Sequence, residues 1–412
     1  MNILHSRKLR IALLAPVEEQ VPPKKYGGTE LVVYNLAKRL VEMGHHVTLL
    51  ASGDSVTDAR LIPIFPEAIR TLPKSRNPEI RRTLTLVGIG RMLEYLSEHR
   101  FDLIHNHVGW TFLPFTAALH TPTVTTLHGY LGNPDESEMY RQYAKENYVS
   151  ISMNQRMSTP HAINFVDNVY NGIDVSRFGF FPEPREYYAF LARMSPEKGP
   201  LEAIAIARAA GVDLIMAGKI DPTETDYFEE RIKPLIDGKQ IRFIGEIGHE
   251  DKVKLLGNAK ALIAPIQWDE PFGLYFIEAM ACGTPVITNR RGSVPEIIID
   301  GKTGYIVESV EEAAAMTREI RKLNRWECRE HVRKNFSDRS MAENYVAAYL
   351  KVLDMKSHPI SSPADIMRKA SESIRRDYVP SPAGTGVGSA FPELLGDMTG
   401  FGNRLGDEVP EA

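Results

Sequence analysis

Strand-length apolar runs alternate with helix-period patterns along most of this chain, and the series starts twice. Residues 9–15 form the first apolar run. Residues 30–43 follow with Val33, Leu36, Ala37, Leu40 and Val41 on one helical face, Thr29 placed to cap the start and Gly44 to end it. Residues 47–51 read as the next strand, and 102–105, 123–127, 148–152 and 165–169 as further strands. A second series opens with a strand at 187–192, a helix at 201–210 and a strand at 213–217. It continues with strands at 241–244, 261–265, 285–288 and 304–307. This order predicts an α/β protein of parallel sheets covered by helices. At 412 residues the chain exceeds one ordinary core, so two domains are expected. They are drawn at 1–170 and 185–336, joined by a hinge at 171–184 that holds Asn-Gly-Ile-Asp and two prolines. A final helix at 337–356 is expected to pack toward the first domain. Residues 357–412, rich in Pro, Gly and Ser, read as a disordered tail. Their Gly-Thr-Gly-Val-Gly at 384–388 follows no strand and opens no helix, so it is not read as a nucleotide fingerprint.

The chemistry-bearing residues cluster where strands end, which is where open parallel sheets bind ligands. Glu270 and Glu278 lie eight positions apart, with Pro271, Phe272 and Gly273 opening an apolar helix between them. A loop entering a helix gathers backbone N–H groups, which suit an anion, beside carboxylates, which suit hydroxyls. Glu278 sits among Leu274, Phe276, Ile277, Ala279 and Met280, so its charge needs a partner: a ribose or a basic side chain would serve. The spacing alone also admits a glycosidase acid pair. Arg193 and Lys198 follow the strand at 187–192 and can hold a diphosphate, or can flank a solvated loop in which Glu197 pairs locally. Gly27-Gly28-Thr29-Glu30 follows the first strand and lets a ligand approach the backbone, although a plain strand-to-helix turn reads the same way. The dinucleotide glycine spacing is absent, which counts against a nicotinamide dehydrogenase. His105, His107 and His128 end or follow strands and can meet a substrate hydroxyl. His105 and His107 also look like half of a metal site, but no carboxylate or cysteine set completes it, so no metal is expected.

A net charge of −4 gives no support for a nucleic-acid binder. Two cysteines, Cys282 and Cys328, form neither a metal spacing nor a disulfide framework and fit a reducing compartment. The apolar run at 9–17 reads as a buried strand rather than a leader, and no stretch approaches the roughly 18 apolar residues that span a bilayer. A cytoplasmic protein is expected. The basic run at 70–82 leaves peripheral contact with the inner membrane face open, although a solvated loop accounts for it as well.

Together, LARMSPEKG, FIGEIGHEDKVKLLGNAKALIAP and EPFGLYFIEAMACGTPVITNRRGSVPEIIIDGKTGYIV resemble the retaining nucleotide-sugar glycosyltransferases of family four. The resemblance runs from about residue 10 to about 354 and is looser in the first half, through GGTE, the His107 and His128 segments, SISMNQR and VYNGID. It implies two Rossmann-like domains facing across a cleft, the GT-B fold, and a hexosyl transfer with retention to an acceptor hydroxyl. The acceptor would be a glycan, a lipid-linked glycan or a small molecule, and a UDP-sugar is the favoured donor. No metal and no other cofactor is implied. Arg193 and Lys198 would neutralise the donor diphosphate. Glu270, with the N–H groups around Phe272, Gly273 and Leu274, would hold sugar and phosphate. Glu278 would bind the ribose, and Gly27 and Gly28 would approach the diphosphate from the other domain. His128, with His107 as its neighbour, would stand near the donor sugar, and Gly245, Glu246 and Ile247 would flank the base. A nucleotide-sugar epimerase and a non-catalytic nucleotide-sugar-binding protein remain the alternatives.

Overall fold

The computed structural model describes residues 7–25 and 27–357. The tail at 357–412, with its glycine run, lies outside the described residues apart from Ser357, the last residue of the final helix. Among the described residues the strands form two parallel sheets. The first comprises β1 (Arg10–Leu14), β2 (His46–Ala51), β3 (Arg60–Pro63), β4 (Leu103–Asn106), β5 (Thr123–Thr126), β6 (Asn147–Ser150) and β7 (Phe165–Asn168), in the order β3-β2-β1-β4-β5-β6-β7. The second comprises β8 (Tyr188–Leu191), β9 (Leu214–Ala217), β10 (Ile241–Phe243), β11 (Leu262–Ala264), β12 (Val286–Asn289) and β13 (Gly304–Val307), in the order β10-β9-β8-β11-β12-β13. Each sheet reverses strand order at its centre, so a crevice opens beyond the carboxyl ends of β1 and β4 and of β8 and β11.

Alternation along β1 shows why the strands are apolar throughout. Ile11 and Leu13 face helix Gly28–Glu42, while Ala12 and Leu14 face Ile89, Met92 and Leu96 of helix Pro78–Glu98. Both faces are buried, as parallel sheets require. Helix Pro78–Glu98 departs from the sequence reading, which left its first residues in a basic loop. Its amino-terminal half is mostly exposed, with Ile80, Leu86 and Val87 facing outward, so no apolar stripe announces it. Thr29 does not cap the first helix: Gly27 holds that position, and no side chain caps it.

The final helix, Asp338–Ser357, returns to the first sheet as expected. Met341, Ala342, Tyr345, Ala348 and Tyr349 are buried against the same core as Leu36 and Leu40. At the crossing between domains the two chain segments pair: Ile173 N donates to Phe336 O at 3.0 Å, and Asp338 N to Ile173 O at 2.9 Å. Gly172 is required there, because a Cβ would sit 2.3 Å from the Ser337 carbonyl oxygen. A second clasp comes from Glu296, which accepts from the N–H groups of Met153 and Asn154 at 2.7 Å and from the Tyr170 hydroxyl at 2.9 Å.

Two carboxylates in this frame make opposite demands. Asp338 is buried at the start of the final helix and accepts from Arg39 Nε at 2.7 Å. Burial pushes its carboxyl up, against the pull of Arg39. Arg39→Met should cost on the order of 3 kcal/mol in urea unfolding, and the deficit should shrink toward acidic pH as Asp338 takes a proton. Glu30, in the first turn of helix Gly28–Glu42, is pushed up to about 7, mainly by burial, with Glu18 and Glu19 adding. A carboxyl raised above its ordinary 4.5 contributes stability that is present below that value and lost as pH rises through about 7. Glu30→Gln should therefore match the parent near pH 4.5 and exceed it at pH 8 by on the order of 3 kcal/mol.

Candidate functional site

A cavity of about 200 Å³ lies between the two sheets. The first domain contributes Pro22 to Lys25, Gly27, Gly28 and Leu31. The second contributes Leu191, Ala192, Gly218, Lys219, Glu246 to His249, Lys252, Leu274, Tyr275 and Glu278, and Arg177 comes from the hinge. The starts of two helices meet here: a Cβ on Gly28 would lie 3.5 Å from Leu274 Cδ1, which opens helix Leu274–Ala281. Gly273 precedes that helix with φ +79°, and a Cβ there would strike Phe276 at 2.6 Å, so the turn that aims the helix start needs glycine. Five cationic side chains, Lys24, Lys25, Arg177, Lys219 and Lys252, face two carboxylates, Glu246 and Glu278. This excess of positive charge, with two helix starts, favours a dianionic ligand such as a diphosphate.

Glu278 is buried, and its partner is Lys252 of helix His249–Asn258. The basic side chain is thus the answer to the carboxylate on an apolar helix, and it stands on the cavity wall with Glu278. Lys25 reaches across the cleft to Glu246 at 3.8 Å.

Glu270 heads an adjoining cluster. Its Oε2 pairs with Lys198 and accepts from Tyr275 OH at 3.0 Å and Trp268 Nε1 at 3.3 Å. The Lys198 ammonium lies 4.7 Å from the Trp268 ring centroid and 5.7 Å from that of Tyr275. Both members of the pair are nearly sealed, at 9% side-chain exposure. Gly292, with φ +53°, packs on the Glu270 backbone, where a Cβ would fall 2.3 Å from its nitrogen. Arg193 instead donates to Glu197 at 2.8 Å, as in the solvated-loop reading, while its buried Nε has no partner among the described residues. Tyr275 joins the cluster to the cavity, since it lines one and bonds Glu270 in the other.

Across the cleft, Tyr130 brings its ring to 6.5 Å from Trp268 and so sets the loop bearing His128 opposite Glu270. His128 Nε2 meets His107 Nδ1 at 2.8 Å, and His107 Nε2 meets His105 Nδ1 at 3.1 Å. His105 also contacts Tyr349 OH and Thr126 Oγ1, each at 2.7 Å. These bonds occupy the nitrogens that a metal pair would need. Burial holds His128 down to about 4 and His105 and His107 well below the usual imidazole range, so all three are neutral near pH 7.

Of the residues read from the sequence, Gly27, Gly28, Glu246, Ile247, Leu274 and Glu278 line the cavity. Lys198 and Glu270 meet beside it, with His128 opposite and His107 behind His128. Gly245 turns the chain after β10, accepting from Gly218 N at 2.9 Å. The Phe272 ring lies outside the cavity, packed in the core against Tyr170 and Phe336. The sequence reading missed Lys219, Lys252, Arg177 and Tyr275. Lys219 stands two positions after β9, as Arg193 does after β8, so the strand-end rule that singled out Arg193 applies to it as well. The other three carry no such mark. Cys282 and Cys328 are free and buried, and burial pushes both thiols up to about 12.

Residues 174–339 match the family profile described as glycosyl transferases group 1, and residues 26–177 match that of glycosyltransferase family 4. The glycogen synthase of Mycobacterium tuberculosis is 27% identical over 335 residues, covering 70% of this chain and 80% of that protein. A solved glycosyltransferase involved in avilamycin A biosynthesis is 26% identical, with a TM-score of 0.62 over 84% of this chain and 98% of its own. The Anabaena protein HepE, solved with UDP-glucose, shares the fold at 18% identity, with a TM-score of 0.63 over 83% and 99% of the two chains. With the two facing sheets and the cationic cleft, these matches show that the chain belongs to the group 1, family-four glycosyltransferases of the GT-B fold.

Proposed function

We propose that this enzyme transfers a hexosyl group from a nucleoside-diphosphate sugar to an acceptor hydroxyl with retention of anomeric configuration. The observation that carries the reading is the linear order of the cleft: the Glu278–Lys252 wall, the converging helix starts with their cations, the Glu270–Lys198 cluster, then His128. Ribose, diphosphate and hexose of one donor follow the same order. Glu278 takes the ribose hydroxyls, the cations and helix starts take the diphosphate, and Glu270 and His128 flank the sugar. UDP is the favoured nucleotide, supported by the UDP-glucose complex of the Anabaena neighbour.

In the reaction the anomeric C–O bond breaks and its electron pair stays on the β-phosphate. The acceptor oxygen bonds the anomeric carbon on the face the phosphate leaves, and the acceptor proton passes to the departing phosphate oxygen. Charge growing on the diphosphate is met by Lys198, Arg193, Lys219 and the start of helix Leu274–Ala281, preorganised before the reaction. This cationic provision is why the reading needs no divalent ion. The Lys198–Glu270 pair holds both side chains in a sealed site and turns Glu270 toward the sugar, so Glu270 positions the donor and does not attack it. The acceptor is a glycan, lipid-linked or small-molecule hydroxyl, and the enzyme works in the cytoplasm. Among the described residues no helix is long and apolar enough to cross a membrane.

Two outcomes test the reading. UDP-hexoses at a hundredfold excess over Kd should stabilise the protein by about 2.7 kcal/mol, seen as a melting shift that nicotinamide dinucleotides do not give. No shift with any nucleotide sugar would defeat it. Lys198→Ala should lower kcat by on the order of 10²–10³ and cost about 3–5 kcal/mol of stability, because Glu270 is left buried without its cation. The double variant Lys198→Met with Glu270→Gln should recover the stability and not the turnover. Recovery of both would remove Lys198 from the chemistry.

A further inference from the structure

The basic run at 70–82 has no part in the transfer reaction, and the structure carries it into the start of helix Pro78–Glu98. Residues 70–91 hold six cations, Arg70, Lys74, Arg76, Arg81, Arg82 and Arg91, against one carboxylate, Glu79. Three of the six are engaged by the fold: Arg70 meets Glu19 at 3.0 Å, Arg81 Nε donates to Ser75 O at 3.1 Å, and Arg91 donates to Ile64 O at 2.7 Å. Lys74, Arg76 and Arg82 are exposed. Arg82 lies 3.5 Å from Glu79, but both side chains are 80% exposed, and such a pair holds little.

The same half of the helix turns aliphatic side chains to solvent. Ile80, Leu86 and Val87 are exposed, and at about 3.6 residues per turn they share one side with Thr83 and Gly90. The opposite side buries Gly88, Ile89, Met92 and Leu96. Single exposed aliphatics are ordinary. Three on one side within two turns form a patch, and Glu94, on that side too, ends it. The chemistry identifies the occupant. A stable protein interface buries about 800 Å² on each partner and is rich in aromatic anchors. Residues 70–91 contain no aromatic side chain. A bilayer surface asks less: a few aliphatic chains at headgroup depth, flanked by cations that meet lipid phosphates. The chain as a whole carries a charge of −4, so an anionic surface attracts this patch and not the rest, which orients the molecule.

We propose that Lys74, Arg76 and Arg82, with Ile80, Leu86 and Val87, form a docking surface for an anionic lipid bilayer. This surface adjoins the cleft. Thr85 Oγ1 donates to Glu18 Oε1 at 2.8 Å, and Arg70 meets Glu19. Glu19 and Thr71 line a second hollow of about 290 Å³, and its walls Lys24, Lys25, Lys219 and Glu246 line the donor cavity as well. Docking therefore brings this side of the cleft near the headgroups, and an acceptor carried in the bilayer has a short path to the donor. That consequence rests on the transfer reaction proposed above, whereas the docking does not.

The test is co-sedimentation of the full chain with vesicles of phosphatidylcholine, alone or mixed with phosphatidylglycerol, at low and high salt. The chain should pellet with the anionic vesicles, stay in solution with the neutral ones, and be released by high salt. The triple variant Lys74→Gln, Arg76→Gln, Arg82→Gln should lower the partition on the order of a hundredfold, at about fivefold per cation. Leu86→Ser with Val87→Ser should lower it as well, at unchanged charge. All five positions are exposed, so both variants should keep the parent's melting temperature and its shift with UDP-hexoses. Equal binding to both kinds of vesicle, or parent-level binding by the triple variant, would overturn the proposal. So would a patch that pairs two copies of the chain in sedimentation equilibrium and leaves vesicles unbound. A UDP-hexose melting shift without vesicle binding defeats the docking alone, whereas vesicle binding without any such shift supports the docking and defeats the transfer reading.

Discussion

The Lys198–Glu270 ion pair is the contact on which the rest of the cleft is arranged. Two opposite charges almost closed to solvent persist only if each is satisfied from several sides. Trp268 and Tyr275 supply hydrogen bonds to Glu270 and ring faces to Lys198. Gly292 lets the neighbouring turn lie on the Glu270 backbone. Tyr275 then belongs to the cavity wall, and Trp268 reaches Tyr130 beside His128. One pair thus fixes the geometry of this part of the cleft and of the surface that faces it.

The frame around this pair is built to keep two sheets in register across a gap. The two chain crossings hydrogen-bond to each other at Ile173, through Phe336 and Asp338, so the hinge is pinned at its start. Glu296 takes the helix-start N–H groups of Met153 and Asn154, a charge-assisted contact between domains. The final helix then buries its tyrosines in the first domain and meets the histidine chain. Closure around a ligand would act on these few contacts and leave both cores intact.

Much of this was legible in the sequence, because parallel strands buried on both faces announce themselves as short apolar runs. The positions of β1, β2, β8, β9 and β13 follow from such runs and from the glycines that end helices. β3 was missed because its burial is partial, and helix Pro78–Glu98 because its exposed amino-terminal half lacks an apolar stripe. At the site, Lys198 and Glu270 were visible as residues in loops after strands, and Glu278 as a carboxylate on an apolar helix. Which cation meets which carboxylate was not, since Lys198–Glu270 and Lys252–Glu278 join residues distant in sequence. Lys252 on a charged helix looks like any solvated lysine until the fold turns it inward.

The central claim is that the cleft holds one nucleotide sugar stretched from Glu278 to His128. A crystal structure of the full chain with an unreacted UDP-hexose measures this most directly. The account predicts the ribose on Glu278, the diphosphate between Gly28 and the start of helix Leu274–Ala281, and the hexose between Glu270 and His128. A nucleotide bound in the reverse direction, or a hexose lying away from Glu270, would contradict it.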